Sequence, residues 1–311
     1  MDAQTYTDTP PTTSLQKAEE ACNKAIQVNP DDPAIYLRKA FMYQRLGRFL
    51  TYNSSEDPRI LLKKSVESAQ EAERRDPHSW EPHHLLVTDG MLSGEYELRH
   101  GIDPRNSLNE AVQQADLALR MRPNNPDGFY NLGIVYALLG EYEGQSGKNP
   151  IPTYDKAIQQ YEKIGKFDPS YNIGNELGIV YWYIAIYQVD HGVDPSNTFQ
   201  NAIAAYSKTL KKTPDDPYLL YNLGLVYANQ GSYEATLGKD PTSSLQQALK
   251  LIEKSGKFIP NNSYITSSLG STHVRLAEYL VGHGKDPTTE FQEARKFMTQ
   301  AIQIDRSYYQ P

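Results

Sequence analysis

The chain has 311 residues, 39% of them hydrophobic, and 31 basic against 38 acidic side chains give a net charge of −7. That length predicts about two ordinary domains, the acidic balance argues against a nucleic-acid partner, and no stretch approaches the eighteen or so apolar residues of a membrane span. A single cysteine, Cys22, excludes an internal disulfide framework and any cysteine-based zinc site, and fits a reducing, cytoplasmic compartment.

Tyrosine is the compositional outlier, with 23 Tyr against 8 Phe and 2 Trp. Its ring is apolar and its tip polar, so it suits surfaces packed on one side and wet on the other. An elongated protein with much half-buried surface accounts for it better than one thick core.

Residues 1–11 have neither a basic nor an apolar segment, so they are no signal peptide; a disordered or extended segment is expected. A helix over 12–29 follows. Beyond it an acid-proline step recurs at Asp57-Pro58, Asp103-Pro104, Asn149-Pro150, Asp194-Pro195, Asp240-Pro241 and Asp286-Pro287, at intervals of 46, 46, 45, 46 and 46 residues. Such a period is the mark of a repeat architecture. Glycines hold the register before the step, at Gly101, Gly147, Gly192, Gly238 and Gly284. So do alanines after it, at Ala111, Ala157, Ala202, Ala248 and Ala294, and prolines further on, at Pro123, Pro169, Pro214 and Pro260.

Each period reads as two helices. After the step, Leu245, Ala248, Leu249 and Ile252 follow the i, i+3, i+4, i+7 spacing of one buried face, as do Phe199, Ala202, Ile203 and Tyr206. Blocks such as YNLGIVYALLGEYE from Tyr130 and YNLGLVYANQGSYE from Tyr221 form the other helix of the pair. In the corner GKDP, Gly238 is expected to end one helix in a left-handed conformation. Asp240 caps the next, and Pro241 takes its first turn. Helices with a single apolar stripe cannot bury it alone, so the units must stack. The expected fold is all-α: a right-handed α-solenoid of about thirteen antiparallel helices. It forms one domain over 12–305, with pairs over 30–75, 76–121, 122–167, 168–212, 213–258 and 259–305 and a tail over 306–311.

These residues resemble the tetratricopeptide repeat. Leu132-Gly133, Tyr136, Ala157, Tyr161 and Pro169 match that family's signature in order, as do Leu223-Gly224, Tyr227, Ala248 and Pro260. The period of 46 exceeds the family's usual length of about 34, and the surplus lies at the helix–helix corner. The long unit with its G-x-D-P corner is also similar to repeat regions at the C-terminal end of some bacterial serine/threonine kinases. The first helix carries the register of a second helix, through Ala18 and Pro30. It is expected to be either the start of a fragment or a cap.

The resemblance implies a protein or peptide partner held on a concave face lined by first helices. The family's carboxylate clamp does not carry over. Its lysine and asparagine positions hold Tyr130 and Ile134 in one unit, Tyr221 and Leu225 in another. The same register instead offers an aromatic-polar surface: Tyr130, Asn131, Ile134, Trp182, Tyr221, Asn222, Leu225 and Asn229 are the candidate groove residues. Packing against the next repeat is the competing role for Tyr130 and Tyr221. Tyr136, Tyr181 and Tyr227 are read as core.

No catalytic constellation is found. GQSGK, Gly144 to Lys148, lacks the upstream glycine and the Ser or Thr of a phosphate loop. His83 and His84 are adjacent and diverge on a helix, so no metal site is expected from them. The chain is therefore expected to be a non-enzymatic interaction scaffold, without cofactor or metal. The alternative is a regulatory, substrate-recruiting module of a larger signalling enzyme such as a kinase.

Overall fold

A computed structural model describes residues 12–168 and 170–308, and among them every regular element is a helix. In chain order these are α1 (Thr12–Val28), α2 (Pro33–Asn53), α3 (Arg59–Arg75), α4 (Glu81–Arg99), α5 (Arg105–Met121), α6 (Pro126–Gln145) and α7 (Ile151–Phe167). There follow α8 (Gly174–Asp190), α9 (Ser196–Leu210), α10 (Pro217–Thr236), α11 (Thr242–Phe258), α12 (Ser263–Gly282) and α13 (Thr288–Tyr308). The expected segment 1–11 lies outside the described residues, as do 309–311 of the expected tail. The last helix runs on to Tyr308, past 305.

The corner explains why the helices stop and restart where they do. All five corner glycines have φ between 64 and 72°, a left-handed conformation that costs a residue without Cβ little. At the fourth, Lys239 N–H bonds Glu234 O at 2.9 Å and Gly238 N–H bonds Ala235 O at 3.0 Å. The first of these is the six-to-one bond of a Schellman ending, which satisfies carbonyls that the helix end would otherwise leave bare. Asp240 Oδ1 then accepts the N–H of Thr242 at 2.9 Å. Asp57, Asp103, Asn149, Asp194 and Asp286 cap α3, α5, α7, α9 and α13 in the same way.

First helices have caps of their own. Asp32, Asn125, Asp216 and Asn262 accept backbone N–H groups at the starts of α2, α6, α10 and α12. Two starts depart from this. Pro77 and Pro82 are five residues apart where Pro123 and Pro126 are three apart, and α4 begins behind Trp80 without a side-chain cap. The segment DPSYNIG lacks the second proline, and α8 begins behind an uncapped Ile173. Contacts divide the chain at this second irregularity into two compact units, Met1–Tyr171 and Asn172–Pro311, where the sequence reading has a single solenoid.

Within the first unit α2 pairs with α3, α4 with α5 and α6 with α7, and α1 packs on α2. Within the second, α8 pairs with α9, α10 with α11 and α12 with α13. First helices also lie side by side, α2 on α4 on α6 in one unit and α8 on α10 on α12 in the other. Among the described residues the backbones of second helices stay apart from one another. The second helices α3, α5, α7, α9 and α11 bury a stripe at i, i+3, i+7 and i+10, such as Leu245, Ala248, Ile252 and Ser255 on α11 and Phe199, Ala202, Tyr206 and Thr209 on α9. Leu249 and Ile203, expected in that stripe, are only half-buried. The stripe meets small residues opposite, as where the Tyr206 ring lies over Gly178.

Candidate functional site

The side-by-side packing of first helices sets what their outer faces can present. Every one of the eight candidate groove residues is half-buried. In the first unit, Tyr130 on α6 sets its ring 6.3 Å from that of Tyr161 and 5.7 Å from that of Tyr171. Ile134 packs against the core that α3 to α6 share through Leu92, Leu108, Leu132 and Val135. Asn131, one residue beyond Tyr130, bonds to nothing among the described residues.

In the second unit, the Tyr221 hydroxyl lies 2.9 Å from Ser268 Oγ on α12. Asn222 Nδ2 donates to Asn175 Oδ1 on α8 at 3.4 Å. These two bonds reach in opposite directions from α10, to the first helix before it and the one after it. Leu225 packs on the core of α10 to α12, and Trp182 stacks on Tyr183 with ring centroids 5.5 Å apart. The Trp182 indole N–H is covered and has no acceptor among the described residues. The Asn229 amide, like that of Asn131, makes no hydrogen bond among the described residues. Tyr136, Tyr181 and Tyr227, read as core, are half-buried and pack against the hydrophobic clusters.

A further set of residues escapes the repeat signature. The glycine column Gly47, Gly94, Gly140 aligns α2 with α6 and sets Arg38, Phe41 and Arg48 at the register of Asn131, Ile134 and Glu141. These three, with Arg45 and Tyr52, are exposed. Tyr52 places them beside α4, since its hydroxyl donates to Glu95 Oε2 at 2.6 Å. Arg99 pairs with the same Glu95 and donates to Thr51 O at 3.1 Å. Under this face lies Asp89 of α4, whose Oδ1 accepts from Gln44 Nε2 at 2.9 Å. Burial pushes the Asp89 carboxyl up to about 7, against weaker opposing pulls from Gln44, Ser65 and Arg48. His83 is buried and bonds through Nδ1 to Gln114 at 2.7 Å.

Residues 196–231, which span α9 and most of the facing α10, match the family model described as TPR repeat. A comparison with the curated proteins finds no match. Among solved structures the chain resembles a tetratricopeptide repeat protein from Parabacteroides merdae, at 13% identity and a TM-score of 0.51, covering 94% of this chain and 93% of that one. It also resembles the C-terminal part of a TPR repeat-containing protein from Cytophaga hutchinsonii, at 16% identity and a TM-score of 0.51, covering 94% and 95%. At these identities the likeness speaks to the fold.

Proposed function

The chain is built of tetratricopeptide-type repeats, and on that premise we propose that it is a non-catalytic scaffold that holds a peptide or protein partner against its first helices. One observation carries this reading. First helices pack side by side in each unit while second helices stay apart, so within each unit the first helices form a face of half-buried aromatic and amide side chains. Asn131 on the face of one unit and Asn229 on that of the other have no side-chain bond among the described residues, and an amide in such a place is suited to the backbone of an extended peptide. Tyr130 and Tyr221 give the face its stiffness, held by Tyr161 and Ser268. No helix among the described residues is long and apolar enough to cross a membrane. The lone thiol of Cys22 fits a reducing compartment such as the cytoplasm.

Photo-crosslinking tests the reading. Benzoylphenylalanine placed at Asn131 or Asn229 is expected to capture peptides selected for binding from a displayed random library. The same group at Lys166 or Lys250, exposed on second helices, should capture far less. Equal capture at both kinds of position would remove the first-helix face from the function.

A further inference from the structure

The exposed face of α2 has a chemistry of its own. Arg38, Phe41, Arg45, Arg48 and Tyr52 fall at i, i+3, i+7, i+10 and i+14, which puts them on one side of the helix. Phe41 is 51% exposed and Tyr52 48%, whereas Ile134, at the register of Phe41 on α6, is half-buried. The Arg45 guanidinium lies 5.9 Å from the centre of the Phe41 ring. Among the described residues Arg38, Arg45 and Arg48 meet no carboxylate at ion-pair distance. Arg59 pairs with Asp57, Arg75 with Glu71, Arg99 with Glu95 and Arg105 with Asp103, while Arg120 and Arg122 of the same unit make no such pair among the described residues. The chain as a whole carries a charge of −7, and against that balance three arginines line one exposed side of α2 with the Phe41 ring among them.

We propose that this stripe docks an acidic peptide segment, with side-chain carboxylates on Arg38, Arg45 and Arg48 and an apolar side chain on Phe41. The proposal rests on the scaffold reading above and names its partner class. A guanidinium fork matches a carboxylate in two parallel hydrogen bonds, and arginine with aromatics is the composition enriched at interface centres. Spacing sets the partner's pattern. Ten residues of helix from Arg38 to Arg48 span about 15 Å, which an extended peptide covers in roughly four to five residues. Carboxylates therefore belong at the two ends of such a stretch and the apolar residue between them. Three guanidiniums are too few to hold a nucleic acid through counterion release, and Glu95 closes the stripe at Tyr52 with a negative charge. The contacts are to side-chain carboxylates, so a free C-terminus is not needed.

Fluorescence anisotropy on the full chain tests this with a labelled, C-terminally amidated twelve-residue peptide repeating Asp-Glu-Leu-Phe. Its affinity is expected to fall with added salt, to drop by roughly tenfold or more in the Arg45→Glu/Arg48→Glu variant, and to drop comparably when Asn and Gln replace Asp and Glu in the peptide. Both arginines are exposed, and an unchanged circular dichroism melt shows that the variant is folded. Lys166→Ala and Lys250→Ala, exposed on second helices, should leave the acidic peptide's affinity unchanged. The proposal is overturned if charge reversal leaves affinity within about twofold, if the neutral peptide binds as well, or if a twelve-nucleotide uridine oligomer binds more tightly through the same arginines. Capture of neutral peptides at Asn131 or Asn229 with no acidic-peptide binding would retain the scaffold and remove this partner class.

Discussion

Tyr233 on α10 directs its hydroxyl at Asp194, whose Oδ1 it meets at 3.2 Å across a separation of 39 residues. The same carboxylate caps α9 by accepting the N–H and the hydroxyl of Ser196. One side chain thus ends a corner and ties it to the next repeat. Tyr142 and Tyr279 stand at the same separation of 39 residues from Asp103 and Asp240, and each adds a small downward pull on that carboxyl. At the Asp194 corner one repeat is thereby tied to the next at the far end of the helices, where the surplus length of the repeat lies.

Asp194→Ala should therefore lower the melting temperature measured by circular dichroism, and Asp194→Asn should lower it less, since Asn149 caps α7 with an amide. The Ser196 hydroxyl, then its N–H, hold the Asp194 carboxyl below the usual carboxylate range, with a smaller pull from Tyr233. A depressed acid stabilises the fold above its unfolded value and loses that contribution as pH falls through the folded one. The gap between wild type and Asp194→Asn should accordingly close in acid.

Asp89 has the opposite sign. Its carboxyl is 1% exposed, and Oδ2 has no hydrogen-bond partner among the described residues. Native protein holds the proton up to about pH 7, whereas the unfolded chain releases it near 4. Stability is therefore undiminished below about pH 4, falls as pH rises toward 7, and carries the full cost above that. Asp89→Asn keeps the bond from Gln44. It is expected to stabilise the protein by roughly 2–4 kcal/mol at pH 8 and by little at pH 4, read from urea titrations.

Tyr206 is fully buried against Gly178, and its hydroxyl has no hydrogen-bond partner among the described residues. Burial drives its pKa far upward, with Tyr183 and Glu176 adding to the effect. An unsatisfied buried hydroxyl costs about 1–3 kcal/mol, so Tyr206→Phe should raise the melting temperature. A lower melting temperature would mean that the hydroxyl has a partner.

Gly178→Ala tests the other side of that contact. A Cβ there would lie 2.5 Å from Tyr206 Cε2, and the ring is fixed by the core around Phe199, Ala202 and Leu223. The substitution is expected to cost about 1–3 kcal/mol by overpacking. The same exchange in Tyr206→Ala should be tolerated better, because the ring that it strikes is gone.

The fold was legible because its corners repeat their chemistry: glycine with positive φ, acid as cap, proline in the first turn. Each element acts locally, so a single sequence carries it. The partner face was legible only in part. Register indicates where a first-helix side chain points, but not what the neighbouring helix brings to meet it. Tyr221 and Asn222 share the register of a groove, yet their polar ends reach Ser268 and Asn175, from units on either side. The α2 stripe escaped notice because Ala40 stands where the signature has its glycine, leaving Gly47 as the surviving marker. Asp89 gave no periodic signal, since its carboxyl is perturbed by burial that α2 and α3 create.

Hydrogen exchange on the full chain, with and without a peptide selected for binding, tests the central claim most directly. Slowed exchange concentrated on α6 and α10, with α7 and α11 unchanged, is the predicted result. Protection confined to the second helices, or to the glycine corners, would contradict it.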